Sequence, residues 1–196
     1  SRLAIEMQDM PMANQKYRIE TWVENVLRSF IGRNFAIVDS LSHKVYGHAK
    51  SIWAVIDTRT REPIDLRSIH GDDIEKYINK EKVCPIDKPS RVQIGSDAVK
   101  VRTLDTYYND VDVNGHINSI RYIDHVLDLF DLDYYRQNTL KRFEIAYVAE
   151  SHQGDLLNFY RKDEGNGIYS FKVTKIEPKA TKEIEVVRSR AVFVKK

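Results

Sequence analysis

Apolar and polar residues alternate along the first part of the chain with the two-residue period of a half-buried strand. In residues 17–26 the pattern runs through Tyr17, Ile19, Thr21 and Val23, which predicts one strand. Two further strands are predicted from runs of β-branched and aromatic residues, at 34–39 and 45–57. Because these strands follow one another closely, the pattern indicates a β-meander.

The second half of the chain adds a helix to this pattern. Residues 98–106 predict a strand, 107–117 a loop, and 119–130 a helix with Asn118 as its N-cap. Its predicted apolar face consists of Ile120, Ile123, Val126, Leu127 and Phe130. The other predicted elements are a short helix at 72–78, strands at 141–149, 155–161, 168–176 and 182–194, and a hairpin turn at Gly165-Asn166-Gly167.

A segment without periodicity separates the two patterned halves. It contains Pro85, Pro89 and Gly95, residues that interrupt regular structure. We therefore predict an N-terminal unit over 1–80, a linker over 81–97 and a C-terminal unit over 98–196.

The two halves also resemble each other weakly, at an offset of roughly 140 residues. The matching pairs are 4–7 with 144–149, 17–23 with 156–161, 35–38 with 171–174, and 50–55 with 190–194. At this offset, the counterpart of the strand, loop and helix at 98–130 would lie before Ser1. We therefore expect the first unit to lack its opening strand and helix, which would leave an apolar face of its sheet to be covered.

Composition and charge exclude several classes of protein. The chain has 196 residues, and 42% of them are hydrophobic, which excludes intrinsic disorder. A formal net charge of +2 gives no general attraction to nucleic acid or anionic membranes. No uncharged stretch exceeds eight residues, which predicts neither a membrane span nor a signal peptide. The single cysteine, Cys84, excludes an intrachain disulfide and fits a cytoplasmic location.

Candidate chemistry is concentrated in the loop before the predicted helix. Asp112, Asn114 and His116 alternate there, so in an extended loop their side chains would point to one side. A carboxylate, an amide and an imidazole can serve as a base, an oxyanion donor and a proton donor for attack of water on an acyl group. The alternative is structural, because Asp and Asn are common in turns and a histidine before a helix can bind the backbone.

A calcium site is the other chemistry that this loop suggests. Asp110, Asp112, Asn114 and Gly115 fit the first six positions of an EF-hand loop. The twelfth position, however, requires a bidentate carboxylate and is occupied by Arg121. The remaining histidines have no companions at the spacing of metal ligands, so we predict no metal and no cofactor.

The run from Asp110 to Ile123, DVDVNGHINSIRYI, resembles the active-site signature of the acyl-acyl carrier protein thioesterases. In this tandem hot-dog family, D-x-N-x-H-x-N precedes a central helix. The resemblance continues through 141–151, where Glu150 corresponds to a functional glutamate of the family, and through 18–23 and 51–53. It implies an α+β tandem hot-dog fold, with long antiparallel sheets, a central helix in the C-terminal unit and a first unit that is incomplete at its N-terminus.

The resemblance implies hydrolysis of long- or medium-chain acyl-acyl carrier protein to free fatty acid by an activated water. In this interpretation Glu150 is the general base and Asp112 helps to position the water. His116 orients the water or protonates the departing thiolate, and Asn114 holds the thioester oxygen with a backbone N–H near the helix start. Which of the two carboxylates takes the proton stays open, because neighbouring acids titrate as a pair.

Four further residues are candidates for contact with the substrate. Asn118 and Tyr122 lie at the start of the predicted helix, and Trp22 and Trp53 lie on strands of the first half. Each also has a structural interpretation, since Asn118 can cap the helix and large aromatic side chains commonly fill the core.

The implied partner is an acyl carrier protein bearing an acyl-phosphopantetheine, and a homodimer is left open. The alternatives are an acyl-CoA thioesterase and a non-catalytic acyl-binding fragment. Many plant members of the family carry a cysteine after the functional glutamate, whereas this chain has Ser151. Since Cys84 falls in the predicted linker, a cysteine-histidine mechanism has no candidate here.

Overall fold

The structure is a computed structural model, and it describes residues 1–196 with the exception of the side chain of Asp72. The chain divides into two compact units, Ser1–Ser90 and Arg91–Lys196. The division falls inside the segment predicted as a linker. The predicted boundaries, 1–80, 81–97 and 98–196, remain predictions about domains.

Unit 1 is built on a four-stranded antiparallel sheet. Its strands are β1 (Arg2–Met7), β2 (Tyr17–Leu27), β3 (Phe30–Asp39) and β4 (Val45–Ala54), and they are ordered β2-β3-β4-β1. A five-residue helix α1 (Leu66–His70) and a 3-10 segment (Gly71–Tyr77) follow. Helix α1 starts where the Asp65 carboxylate accepts a hydrogen bond from the Arg67 backbone N–H.

The core of unit 1 extends into the segment after residue 80. Cys84 and Ile86 are buried together with Trp22, Ala36 and Val38 on one face of the sheet. The Lys82 ammonium lies 4.4 Å from the centre of the Trp22 ring. The first part of the predicted linker is therefore packed against strands β2 and β3. Burial of its apolar side chains away from water favours this packing.

Unit 2 contains five antiparallel strands and two helices. The elements are β5 (Val99–Asp105), a 3-10 turn (Tyr108–Asp110), α2 (Ser119–Leu127), α3 (Leu132–Gln137), β6 (Asn138–Tyr147), β7 (Leu156–Gly165), β8 (Ile168–Ile176) and β9 (Ile184–Lys195). The strands are ordered β5-β7-β8-β9-β6. The hairpin predicted at Gly165-Asn166-Gly167 is confirmed, with all three residues at positive φ.

Helix α2 differs from its prediction in length and in the face that it buries. It ends at Leu127, so Phe130 lies beyond it, in an aromatic cluster with Tyr169 and Phe193. The buried positions are Tyr122 and Val126, one helical turn apart, whereas Ile120 is 55% exposed. The predicted face was wrong at Ile120, which is the second residue of the helix and lies in its exposed first turn.

The strand order confirms the internal repeat. In each unit the first strand of the repeat, β1 or β6, lies beside the last, β4 or β9, and the two middle strands complete the series. Within the residues that the structure describes, unit 1 has no counterpart of β5 and α2. In the same described part of the chain, no helix has the length and apolar character needed to cross a membrane.

Candidate active site

The loop before α2 is folded back on itself as a tight turn. The backbone N–H of Asp112 donates to the carbonyl of His116 (2.8 Å), and the N–H of Gly115 donates to the carbonyl of Asp112 (3.0 Å). Gly115 has φ +82°, a conformation that glycine adopts without steric cost. The loop was predicted to be extended, and that prediction is wrong, because these hydrogen bonds close it into a turn.

The Asp112 carboxylate organises this turn. Its Oδ1 accepts hydrogen bonds from the backbone N–H groups of Asn114 (2.8 Å) and His116 (3.3 Å). These bonds, with that from Asn114 the stronger contribution, hold the pKa of Asp112 below its ordinary value. Asp112 is therefore ionised at neutral pH, and its negative charge lies next to His116.

Glu150 reaches the same turn from the segment after β6. The His116 Nε2 lies 3.2 Å from the Glu150 Oε2, and the two side chains are 28% and 45% exposed. Two hydrogen bonds fix the segments that carry them. The N–H of Ile117 donates to the carbonyl of Ser151 (2.8 Å), and the N–H of Val148 donates to the carbonyl of Val186 on β9 (2.8 Å). An acid and an imidazole that are 34 positions apart in the sequence are thereby brought into direct contact at a solvent-accessible point.

The two asparagines of the motif occupy different places. Asn114 is exposed at the tip of the turn, beside Asp112. Asn118 caps α2, because its side-chain oxygen accepts a hydrogen bond from the N–H of Ile120 (3.0 Å). The structural interpretation of Asn118 is therefore supported, and its predicted contact with substrate remains a prediction.

Tyr122 and Ser151 lie in the interior of unit 2, next to the residues that form the turn. Burial raises the pKa of Tyr122 to about 12, and the nearby Ser151 hydroxyl opposes this rise. The side chains are only 3% and 1% exposed. Ser151 contributes its backbone carbonyl to the hydrogen bond from Ile117, but its hydroxyl is turned away from solvent.

The two tryptophans predicted to contact substrate are both in unit 1. Trp22 is buried in the core described above. Trp53 is 55% exposed, and its indole N–H donates to the Ser51 hydroxyl (2.6 Å). The surroundings of Trp22 support a packing role, and contact of either residue with an acyl chain remains a prediction.

Two histidines make contacts around the motif that the sequence did not predict. The His152 ring packs against the His116 ring, with centroids 5.2 Å apart. His125 on α2 has its Nε2 3.8 Å from the Asp110 Oδ1. Only the position of His152, two residues after Glu150, could have indicated the first contact. In the described part of the chain, no group of three or more histidine, cysteine or acidic side chains is arranged to hold a metal ion.

Two sequence models of one family match this chain. The acyl-ACP thioesterase N-terminal domain matches residues 1–76, and the acyl-ACP thioesterase C-terminal domain matches residues 95–189. Curated relatives include the palmitoyl-acyl carrier protein thioesterase of Gossypium hirsutum, 20% identical over 160 residues, which are 80% of this chain and 39% of the relative. The oleoyl-acyl carrier protein thioesterase 1 of Arabidopsis thaliana is 23% identical over 175 residues, which are 81% of this chain and 46% of the relative. The chain thus spans less than half the length of these relatives.

Solved structures show the same likeness. An acyl-ACP thioesterase from Bacteroides thetaiotaomicron is 44% identical, with a TM-score of 0.87 over 99% of this chain and 75% of that one. A 12:0-ACP thioesterase from Umbellularia californica has a TM-score of 0.81 at 20% identity, over 100% of this chain and 74% of that one, and supports the fold. The α+β, tandem hot-dog fold that the sequence predicts is confirmed, and the chain belongs to the acyl-ACP thioesterase family.

Proposed function

We propose that this chain hydrolyses long- or medium-chain acyl-acyl carrier protein to free fatty acid and carrier thiol, with water as the nucleophile. The observation that carries the proposal is the 3.2 Å contact between His116 Nε2 and Glu150 Oε2, beside the Asp112 carboxylate. An acid, an imidazole and a second acid at one exposed point are the groups that hydrolysis by general acid and base requires.

Glu150 is the proposed general base. Its side chain is 45% exposed, so a water molecule has access to its carboxylate. In the proposed step the carboxylate takes one proton from this water, while the water oxygen forms a bond to the thioester carbon. Asp112 supports the step indirectly, because its carboxylate holds the turn that presents His116 to Glu150.

The tetrahedral intermediate carries a negative oxygen that needs hydrogen-bond donors. The Asn114 amide at the tip of the turn is one proposed donor, and a backbone N–H at the start of α2 is the other. Because the N-terminus of α2 carries a partial positive charge, it stabilises negative charge that develops nearby.

Collapse of the intermediate breaks the carbon–sulfur bond. The proton taken up by Glu150 passes across its contact with His116, and His116 protonates the departing thiolate. The products are a fatty acid and the carrier thiol, and both side chains return to their starting protonation states. No group of the protein is acylated in this sequence of steps.

The surroundings of the other nucleophilic side chains support attack by water. Cys84 is buried in the core of unit 1, and burial raises the pKa of its thiol, which disfavours the reactive thiolate. The Ser151 hydroxyl is buried as well. The acyl chain length and a cytoplasmic location remain predictions within this proposal.

The proposal is tested by steady-state hydrolysis of matched acyl-acyl carrier protein and acyl-CoA substrates by the wild type, Glu150→Gln and Glu164→Gln. Glu164 is an exposed glutamate on the β7–β8 hairpin and serves as the control. We expect the wild type and Glu164→Gln to turn over the carrier-protein substrate, and Glu150→Gln to lose this activity. Faster turnover of acyl-CoA would identify an acyl-CoA thioesterase, and acyl binding without turnover would identify a non-catalytic acyl-binding protein.

A further inference from the structure

A second imidazole lies against the proposed proton donor. The rings of His116 and His152 meet edge to face, with centroids 5.2 Å apart and planes inclined at 74°. This is one of the preferred arrangements of aromatic pairs. His152 itself is exposed, so its ring is not required to fill the core of unit 2. The contact therefore needs an explanation other than packing of the interior.

The turn that carries His152 is fixed by hydrogen bonds to buried groups. The backbone N–H of His152 donates to the Asp155 carboxylate (2.9 Å), and its carbonyl accepts a hydrogen bond from the Thr106 hydroxyl (3.2 Å). The Thr106 hydroxyl also accepts a hydrogen bond from the N–H of Gly154 (2.9 Å). Asp155 lies 3.6 Å from the Lys175 ammonium, and both side chains are almost fully buried. The His152 backbone is thus held in a defined position beside the active-site loop.

His116 needs such a neighbour because its ring can rotate. Its Nε2 must face Glu150 for a proton to pass between them, and rotation of the imidazole about its side-chain bonds would remove that contact. A second ring packed against the imidazole at a steep angle limits this rotation. The observed geometry meets that requirement.

We propose that His152 is a positioning residue that keeps the His116 ring oriented with Nε2 towards Glu150. The inference rests on the proposed hydrolase function and extends it to a residue outside the family's motif. The contribution of His152 is the shape of its ring. A phenylalanine at this position retains a flat aromatic ring without an ionisable nitrogen, whereas an alanine removes the ring.

The kinetic test compares His152→Ala, His152→Phe and Gln153→Ala with the wild type. Gln153 is the next exposed residue of the same turn and controls for general disturbance of it. We expect His152→Ala to lower kcat by about three- to tenfold, with KM and the melting temperature nearly unchanged, and His152→Phe to restore most of the loss. The proposal is overturned if His152→Ala turns over like the wild type or if His152→Phe is as impaired as His152→Ala.

A second measurement does not depend on turnover. The side-chain nitrogen resonances of His116, recorded by NMR in the full chain, report the mobility and hydrogen bonding of its ring. We expect one sharp set in the wild type and in His152→Phe, and broadened or shifted resonances in His152→Ala. Identical spectra in all three proteins contradict the positioning role. If the wild type hydrolyses no acyl thioester, the proposed function fails. The NMR comparison then still tests whether His152 orients the His116 ring.

Discussion

The two units share a sheet and differ in what is connected to it. In unit 1 the connection after β1 carries Asp9, which forms an exposed ion pair with Lys44. In unit 2 the corresponding connection after β6 carries Glu150, which contacts His116. The histidine is supplied by the loop between β5 and α2, two elements that have no counterpart among the described residues of unit 1. Among the described residues, the two units thus share the sheet, and the proposed chemistry depends on the loop before α2 in unit 2.

Two aspartates show the same difference on a smaller scale. Asp39, at the end of β3, accepts hydrogen bonds from the backbone N–H groups of Leu41 (2.9 Å) and Ser42 (2.6 Å). Asp112 accepts equivalent bonds from Asn114 and His116. Both turns lower the pKa of the aspartate that organises them. The second turn also presents an imidazole to an acid. Similar backbone hydrogen bonds therefore close a hairpin in unit 1 and shape the candidate active site in unit 2.

Among these predictions, loss of the Glu150 carboxylate should have the largest effect on kcat. Glu150→Gln should lower kcat by at least about a hundredfold, because general acid–base groups contribute on this scale. The measurement is steady-state hydrolysis of acyl-acyl carrier protein, with Glu164→Gln as the control. Activity like that of the wild type would show that the acid after β6 is as inert as Asp9 in unit 1.

Removal of the imidazole should have the next largest effect. His116→Ala is expected to lower kcat by about ten- to a hundredfold, since the leaving thiolate loses its proton donor but is itself a good leaving group. Thermal unfolding should change little, because His116 is partly exposed and lies in a loop. A collapse of the melting temperature would instead favour the structural interpretation of the motif.

Two substitutions at Asp112 distinguish the charge of its carboxylate from its role as a hydrogen-bond acceptor. Asp112→Ala removes both and should lower kcat by about tenfold, whereas Asp112→Asn keeps an acceptor oxygen and should lose only about threefold. Single-turnover rates of the two variants provide the measurement. Equal losses would show that the charge, and not the turn, is what matters.

In unit 1, the Asp39 carboxylate should affect how the free energy of unfolding changes with pH in the acid range. Its carboxylate also accepts a hydrogen bond from the buried Tyr46 hydroxyl (3.1 Å), and the hydrogen bonds from Ser42 contribute most to lowering its pKa. Because the pKa is lower in the folded state, the stabilisation is present above about pH 4 and is lost as the pH falls through the folded-state value. Asp39→Asn should therefore flatten the pH dependence of unfolding in the acid range, as measured by denaturant melts.

Asp57 is the matched control for this experiment. It holds the backbone N–H groups of Arg59 and Thr60 in a turn of the same unit, but these residues are exposed, so water can replace the carboxylate. Asp57→Asn should change the acid melts less than Asp39→Asn. The reverse order would show that burial does not set the contribution of these turns.

The smallest expected effect is at Ser151. Ser151→Ala should change kcat by less than about twofold, because the hydrogen bond from Ile117 goes to its backbone carbonyl and survives the substitution. Steady-state kinetics together with intact-protein mass spectrometry measure this. An acyl adduct that the wild type accumulates and the variant lacks would reinstate a covalent mechanism.

The sequence predicted those parts of the fold that depend on local pattern. Alternating residues located β2, and runs of β-branched and aromatic residues located β3 and β4. Strand β8 was predicted with its observed bounds, 168–176, whereas β1 was not predicted as a strand. Helix α3 was not predicted, because six residues are too few to show helical periodicity, although Asp131 caps it. Burial of Cys84 and Ile86 also escaped prediction, since it depends on the sheet that they contact.

The candidate site was likewise predicted only in part. The motif from Asp112 to His116 was visible in the sequence, and the family resemblance indicated Glu150. The tight turn was not predicted, because an alternating pattern of residues does not reveal the local hydrogen bonds that close it. The contact of His152 with His116 depends on hydrogen bonds between distant segments. The bond from the Thr106 hydroxyl to the His152 carbonyl, for example, joins residues 46 positions apart.

The proposed function depends on direct attack of the thioester by a water molecule that Glu150 activates. The most direct test is a single turnover, with enzyme in excess over acyl-acyl carrier protein, in water labelled with heavy oxygen, followed by mass spectrometry of the fatty acid and of the peptide that contains Glu150. We expect a fatty acid that carries the label and an unlabelled Glu150 peptide. An unlabelled fatty acid together with a labelled Glu150 would show that the carboxylate attacks as a nucleophile and would contradict the account.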